Sequence, residues 1–479
     1  MASTFLWHDY ETFGANPRMD RPSQFAGIRT DADLNEIEAP LEWFCLPQDD
    51  YVPHPMATMI TGITPQMAAD RGIPEPEFIA KVVAELGRAN TCAVGYNSLR
   101  FDDELTRHTL WRNFQDPYAR EWRDGCSRWD IIDVVRMTYA LRPEGINWPL
   151  KEDGRPSFRL EDLAAANNLE QEQAHDAVSD VRATIALARL IKEKQPKLFA
   201  YAFENRGKQE AWQQIDLREF TPVVHVSSRF PAENGCLSLV MPICPDPKIP
   251  KNKVIVYDLR KDPSDLLALS PEDIHERIFT ASDALPEGVE RIAVKQIHMN
   301  RCPVLAPVKT LSEQQAQRLN LDMALCRKHW KMIRDQHDIV AAKLTAVYEL
   351  GGFEASDDPE QGLYDGFVSN EDRQICNDIL SMRDADFEDY EPAFRDNRLH
   401  ELLFRYRARH FPDSLNQAEK DEWQNWRAKR LEFAPDGGLS LFAFEQIVES
   451  LRGQYKNEPD KLQLLSALTD WGQRLKQFL

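Results

Sequence analysis

A chain of 479 residues is long enough for roughly three domains, and its 42% hydrophobic and 28% charged residues exclude wholesale disorder and fibrous repeats. The net charge of −20, taken alone, argues against a nucleic-acid partner. No run of about 18 apolar residues occurs, so no segment is available for a membrane-spanning helix.

The first residues contain no basic stretch followed by an apolar one, and no secretory leader is expected. Thr4–Glu11 is rich in β-formers and reads as a strand. Two further strands are expected at Phe25–Arg29 and Glu42–Leu46, with a turn at Thr30-Asp31-Ala32-Asp33 between them. Thr64-Pro65 pairs an N-cap residue with proline at the first helical position and starts a helix. A strand at Thr91–Tyr96 runs through Asn97-Ser98-Leu99-Arg100 into a helix from Phe101 to Phe114. Asp176–Lys194 predicts a strong helix with Val178, Val181, Ile185 and Ile191 on one side, closed by Pro196. Strands first, then strand–helix alternation, make an α/β domain assigned to residues 1–195.

From about residue 220 the texture changes. Thr221–Val226, Cys236–Met241, Lys253–Leu259 and Arg291–Ile297 are short β-type runs separated by Pro, Asn and Gly, around a helical Ser270–Phe279. They predict a small barrel or sandwich, and with the helical pattern of 311–350 they form a second domain over 196–350. Phe353–Glu391 holds 13 acidic residues against two Arg, more than half of the charge imbalance, and with Gly351-Gly352 and Asp357-Asp358-Pro359 it reads as a linker. Arg398–Pro412 holds four Arg and one Glu, so local basic surface is expected despite the global charge. The third domain, 351–479, is helical. The eight cysteines are scattered without a C-x-x-C pair, which argues against a zinc site and a disulfide framework and fits a reducing cytoplasm.

The chemistry begins at His8-Asp9-Tyr10-Glu11-Thr12. Residues i and i+2 of a strand share a face, so Asp9 and Glu11 present two carboxylates side by side. Such a pair repels unless a cation joins it, and a divalent ion with oxygen ligands is the natural guest; the alternative is a solvated pair of strand-end acids. In Phe101-Asp102-Asp103-Glu104 an acid stands where a strand gives way to a helix; the alternative is that these acids favour the positive helix N-terminus. His175-Asp176-Ala177-Val178-Ser179-Asp180 opens the strong helix, with Asp180 between two members of its apolar stripe, where an acid needs a partner. The alternative for His175 is an ordinary surface histidine.

Taken in order, strand D-x-E, an acid after a strand, then H-x4-D opening a helix, the arrangement resembles the DEDD-type 3′→5′ exonucleases with a catalytic histidine, which have a ribonuclease-H-like fold. Ile60-Thr61-Gly62-Ile63-Thr64-Pro65 looks like a loop of that superfamily. His8–Gly14, Leu141–Pro149, Pro156–Leu160, Cys302–Leu305 and Leu402–Arg409 are similar to the bacterial exodeoxyribonuclease I family. The resemblance implies a ribonuclease-H-like exonuclease domain, an SH3-like β-barrel domain and an α-helical C-terminal domain.

It also implies roles. Asp9, Glu11, Asp102 and Asp180 would hold two Mg²⁺ ions, with Mn²⁺ an acceptable substitute, Asp9 bridging them and Asp102 reaching its ion through water. Two divalent ions about 4 Å apart suit hydrolysis of a phosphodiester, and His175, with an ordinary pKa of about 6.5, suits removal of a proton from the attacking water. Glu11, Arg159 and Phe101 would contact substrate, Arg159 at a phosphate and Phe101 by stacking; for Arg159 a salt bridge, and for Phe101 a core position, are the alternatives. A single strand needs a basic track with stacking platforms, which Arg405-Tyr406-Arg407 with Arg409, His410 and Phe411 interleaves, unless these form an amphipathic helix with core aromatics.

The expectation is therefore a cytoplasmic, monomeric, magnesium-dependent enzyme that removes 5′-mononucleotides from the 3′ end of single-stranded DNA in repair and recombination. The family further implies docking of the acidic C-terminal tail of single-stranded-DNA-binding protein, with Arg142 and Tyr201 as candidate contacts; a structural salt bridge and interdomain packing are their alternatives. The rivals are a DEDD-type ribonuclease or proofreader, an inactive nucleic-acid-binding scaffold and a metal-free structural protein.

Overall fold

The computed structural model of the protein describes residues 3–169, 177–352, 355–388, 390–434 and 437–479. Two compact units divide it: Met1–Arg128 with Gln171–Arg182 and Glu354–Leu479, and Trp129–Glu170 with Ala183–Phe353.

The first unit carries a mixed sheet of β1 (Thr4–Thr12), β2 (Pro22–Thr30), β3 (Leu41–Cys45), β4 (Gly72–Ile73), β5 (Thr91–Gly95) and β6 (Ser127–Asp130), in the order β4-β3-β2-β1-β5-β6. β1 is central, antiparallel to β2 and parallel to β5. Its Phe5-Leu6-Trp7 run is buried, as a strand covered on both faces requires. Leu6, Tyr10 and Phe25 pack with Phe78, Ile79 and Val82 of the helix Glu75–Leu86. The expected strands, the turn at Asp31 and the helix start at Thr64 are all present, Thr64 accepting the Met67 N–H at 3.1 Å.

The helix Asp102–Arg112 lies in the same unit and is buried along its whole length although eight of its eleven residues carry charged or polar side chains, paired inside. Asp103 binds Arg120 at 2.6 Å and Arg128 at 2.7 Å, Arg107 binds Glu104 and Glu121, and Arg112 binds Glu75 at 2.8 Å. A second network corrects two expectations. The acidic segment after Gly352 is not a linker at Asp358-Pro359-Glu360: Glu360 is only 3% exposed and binds Arg21 and Arg409, each at 2.5 Å, while Asp358 binds Arg405 at 2.6 Å. The Arg405–Arg409 segment is correspondingly not a solvent-facing track. Arg409 also binds Asp50, which is 1% exposed, Arg407 binds Glu419, and Tyr406 is core beside Phe114 and Phe387. Buried charges must be paired, and these cations and acids meet one another's need.

The second unit holds an antiparallel sheet of β7 (Val223–Val226), β8 (Leu237–Pro245), β9 (Lys253–Asp258), β10 (Val294–His298) and β11 (Val304–Pro307), in the order β10-β9-β8-β7-β11. Five antiparallel strands are what the expected small β-barrel requires. β11 went unread in the sequence, because four residues ending in proline give little alternation. The helical pattern of 311–350 resolves into Glu313–Arg318, Met323–Arg334 and His337–Leu350, the first two capped by Ser312 and Asp322. Among the described residues no helix is long and apolar enough to cross a membrane.

Candidate active site

β1 pairs with β5 only over Thr4–Trp7, so Asp9 and Glu11 lie past the carboxyl end of the parallel pair, the usual place for a site in an α/β sheet. Alternation of burial along β1 puts His8, Tyr10 and Thr12 inside and leaves Asp9 and Glu11 half-buried on the other face. The cross-strand partner of Asp9 on β2 is the small Ala26. The turn leaving β5 is equally constrained: a Cβ at Gly95 would stand 2.6 Å from the Ser98 Cβ and 3.0 Å from the His8 carbonyl oxygen, so only glycine lets the two segments approach this closely.

Asp180 completes the group. It sits in the first turn of the helix Ala177–Lys194, whose buried Val181 and Ile185 anchor that end. Ligand oxygens of Asp9, Glu11 and Asp180 all lie within 4.8 Å of one another. Burial, and then the neighbouring Asp180 carboxylate, push the Asp9 carboxyl up to about 8, against the Tyr10 backbone N–H, which favours its charged form. Three carboxylate oxygen donors this close together fit a hard divalent cation such as Mg²⁺ or Mn²⁺.

Asp102 is not one of the three, yet it is coupled to them: the Tyr10 N–H, between Asp9 and Glu11, donates to Asp102 Oδ1 at 3.2 Å. The Thr106 hydroxyl is hydrogen-bonded both to the Asp102 carbonyl at 2.7 Å, to which it donates, and to the Tyr10 hydroxyl at 3.0 Å. The adjacent Asp103 has a different duty. Burial works to raise its carboxyl, but Arg120, Arg128 and Arg107 override this and hold it far below the carboxylate range. Phe101 is the half-buried residue preceding this helix. His175 lies outside the described residues.

The other candidates belong to the second unit. Arg159 is 65% exposed and paired with Glu161. It lines a cleft of about 560 Å³ with Arg136, Lys151, Arg155, Arg229 and Phe230. Arg136 also stands 6.0 Å from the Phe158 ring centre. The cleft is basic and carries an aromatic side chain, the combination expected from the sequence at Arg405–Arg409. The signal was diluted, since Lys151, Arg155 and Arg159 are interrupted by Glu152 and Asp153, and Arg229 comes far later. Arg142 donates to the Leu141 and Thr310 carbonyls at 2.5 and 3.3 Å and has no ion pair among the described residues. The Tyr201 hydroxyl bonds Gln214 at 2.8 Å and the Leu305 carbonyl at 3.1 Å, and its ring lines a narrow crevice with Met137 and Cys302. Arg142 does not line that crevice.

Comparison with known proteins gives this geometry a context. Residues 6–188 match the family described as Exonuclease, 206–350 the Exonuclease I SH3-like domain and 357–475 the Exonuclease I C-terminal domain. The chain is 45% identical over 473 residues to exodeoxyribonuclease I of Haemophilus influenzae, covering 98% of both proteins. It is 44% identical over 474 residues to that of Escherichia coli, covering 99% of this chain and 98% of the other. Among solved structures, E. coli exonuclease I in complex with a dA16 oligonucleotide is similar with a TM-score of 0.94 and 43% identity, covering 99% of this chain and all of the other. The zinc-bound E. coli enzyme–single-stranded DNA complex has a TM-score of 0.93 and 43% identity, with the same coverage. A single-stranded-DNA-binding protein/exonuclease I structure with the inhibitor CFAM has a TM-score of 0.91 and 42% identity, again with that coverage. With three family domains in order along its sequence and near-complete alignment to curated relatives, the chain belongs to the exodeoxyribonuclease I family of hydrolytic nucleases.

Proposed function

We propose that the protein is a magnesium-dependent exonuclease that degrades single-stranded DNA from the 3′ end and releases 5′-mononucleotides. The observation that carries this is the half-buried Asp9–Glu11–Asp180 group, whose donors converge within 4.8 Å. Asp9, Glu11 and Asp180 hold the metal, and Asp102, fixed on the Tyr10 N–H, serves the second ion. Bound divalent cations lower the pKa of water and stabilise charge on the leaving oxygen. His175 takes the proton from the attacking water. Glu11 touches the terminal nucleotide, Arg159 contacts a phosphate and Phe101 stacks on a terminal base. The cleft of Arg136, Lys151, Arg155 and Arg229 with Phe230 tracks the strand backbone, its cations neutralising phosphates while the aromatic offers a stacking face.

Functionally, residues 1–195, 196–350 and 351–479 act as the nuclease, SH3-like and helical parts. The enzyme works as a cytoplasmic monomer in DNA repair and recombination, and docks the acidic tail of single-stranded-DNA-binding protein through Arg142 and Tyr201. The related structure containing that protein and the DNA complexes support the partner and the substrate. Digestion of a 5′-labelled single-stranded oligonucleotide with and without Mg²⁺ is the test. A ladder that shortens from the 3′ end only with metal is expected; cleavage in EDTA, or shortening from the 5′ end, would overturn the reading.

A further inference from the structure

The first unit contains a cavity that the proposed nuclease reaction does not use. It has a volume of about 390 Å³, within the ~300–1,000 Å³ typical of small-molecule sites. Five aromatic residues line it: Trp111, Phe114, Tyr118, Tyr364 and Phe367. The polar ends of two are already engaged, the Trp111 indole N–H on the Pro359 carbonyl at 2.8 Å and the Tyr364 hydroxyl on Glu104 at 2.6 Å. Arg398 lies over the Trp111 ring, Arg107 over Tyr118 and Arg18 over Tyr364, and Phe394 stacks on Phe114, so the aromatic surface offered to a ligand is chiefly that of Phe367. Phe367 is 100% exposed beside the cavity, and a bare phenyl ring at a cavity mouth gains by covering a flat ligand.

The polar lining is sparse and specific. Gln115 and Asn377 each bring an amide, a donor and acceptor together, which matches the edge of a nucleobase. Arg373, on the helix Asn370–Ile379, lines the same cavity and has no ion pair among the described residues. Arg123, also lining it, is paired at 3.6 Å with Asp116, itself a lining residue, and lies 5.8 Å from the Trp122 ring centre. A guanidinium without a carboxylate partner is a phosphate donor set. The lining thiol of Cys376 is pushed up by burial to about 12 and is not a reactive group.

We infer that this cavity is a second, non-catalytic site for a 5′-mononucleotide, its base against the Phe367 ring and its phosphate on Arg373. The inference rests on the proposed reaction only for the source of the ligand, since each cycle releases one such molecule.

The test is ¹⁹F NMR titration of 5-fluoro-2′-deoxyuridine 5′-monophosphate into the full-length protein in EDTA. Without metal, the carboxylates of Asp9, Glu11 and Asp180 repel a phosphate, and the two variants distinguish this cavity from the basic cleft lined by Arg136 and Arg229. Saturable line broadening is expected, with affinity lowered at least about tenfold by Arg373→Glu and abolished by Asn377→Trp, which fills the mouth from an exposed helix position. The matching nucleoside should bind at least about fivefold more weakly. Unchanged thermal midpoints in both variants establish that they fold. No saturable signal at millimolar ligand, or equal affinity in wild type and both variants, would overturn the site. A protein that digests single strands but binds no nucleotide overturns this site alone; one that binds it but digests nothing overturns the assignment of the ligand as reaction product.

Discussion

Asp9 on a strand and Asp180 on a helix bring ligand oxygens within 4.8 Å of each other, and the second carboxylate helps push the first up to about 8. The fold thus favours the protonated form of Asp9. That contribution to stability is fully present below about pH 4, the ordinary Asp range, and is lost as pH rises through about 8. In metal-free protein, the thermal midpoint of wild type should fall between pH 5 and 9 relative to Asp9→Asn, and saturating Mg²⁺ should remove the difference. Differential scanning calorimetry at several pH values checks this; parallel curves for the two proteins would refute the electrostatic account. Asp180→Asn should likewise stabilise the metal-free form while lowering cleavage at least about 10³-fold.

Asp102 and Asp103 are neighbours with opposite duties. Asp103→Asn leaves Arg120 and Arg128 short of charge in the interior and should cost about 3–5 kcal/mol in urea unfolding. Asp102→Asn keeps an acceptor for the Tyr10 N–H and should change stability by less than about 1 kcal/mol, yet lower the cleavage rate about 10–100-fold. If both variants lose stability equally, Asp102 is structural too.

Arginines of the two units should separate in the same way. Arg409→Ala breaks a buried pair with Asp50 and Glu360, at a cost of about 3–5 kcal/mol. Arg229→Ala should leave stability within about 0.5 kcal/mol, weaken binding to a single strand and reduce the salt dependence of that binding by about one in log–log slope. Fluorescence anisotropy over a salt series is the measurement, and an unchanged slope for Arg229→Ala would remove the cleft from the strand's path.

His175→Ala should lose about 10²–10⁴ in rate, the range of a general base, and keep its metal affinity. Wild-type rate should fall below about pH 6.5; the same fall in the alanine variant would reassign the proton acceptor.

Arg142→Ala should bind a peptide of the single-stranded-DNA-binding protein tail about tenfold more weakly, as loss of a cation for a terminal carboxylate predicts. It should digest naked strands at the normal rate and fail on coated ones. Equal peptide affinity in the two proteins would move the anchor elsewhere.

Most of the architecture was readable because strand alternation and N-caps are local signals. Asp9 and Glu11 share a face by the period of a strand, and Thr64 caps as its type and following proline demand. Failures arose where the deciding partner is remote. Arg405 and Arg409 look the same in sequence whether they face solvent or Asp50 and Glu360, and only the fold brings Asp50 to Arg409. Asp102 and Asp103 are equally acidic, and Arg120 with Arg128 decides which is neutralised. The basic cleft was dispersed for the same reason, with Arg229 and Phe230 joining Arg136 and Arg159 only in three dimensions.

The Arg21–Glu360–Arg409–Asp50 cluster also sets an order of events in time. During synthesis Arg21 and Asp50 emerge long before Glu360 and Arg409, so the early strands wait with half of a charge network that burial does not tolerate. The charges of Arg21 and Asp50 therefore meet their partners only after the helix Asn397–His410 has been made.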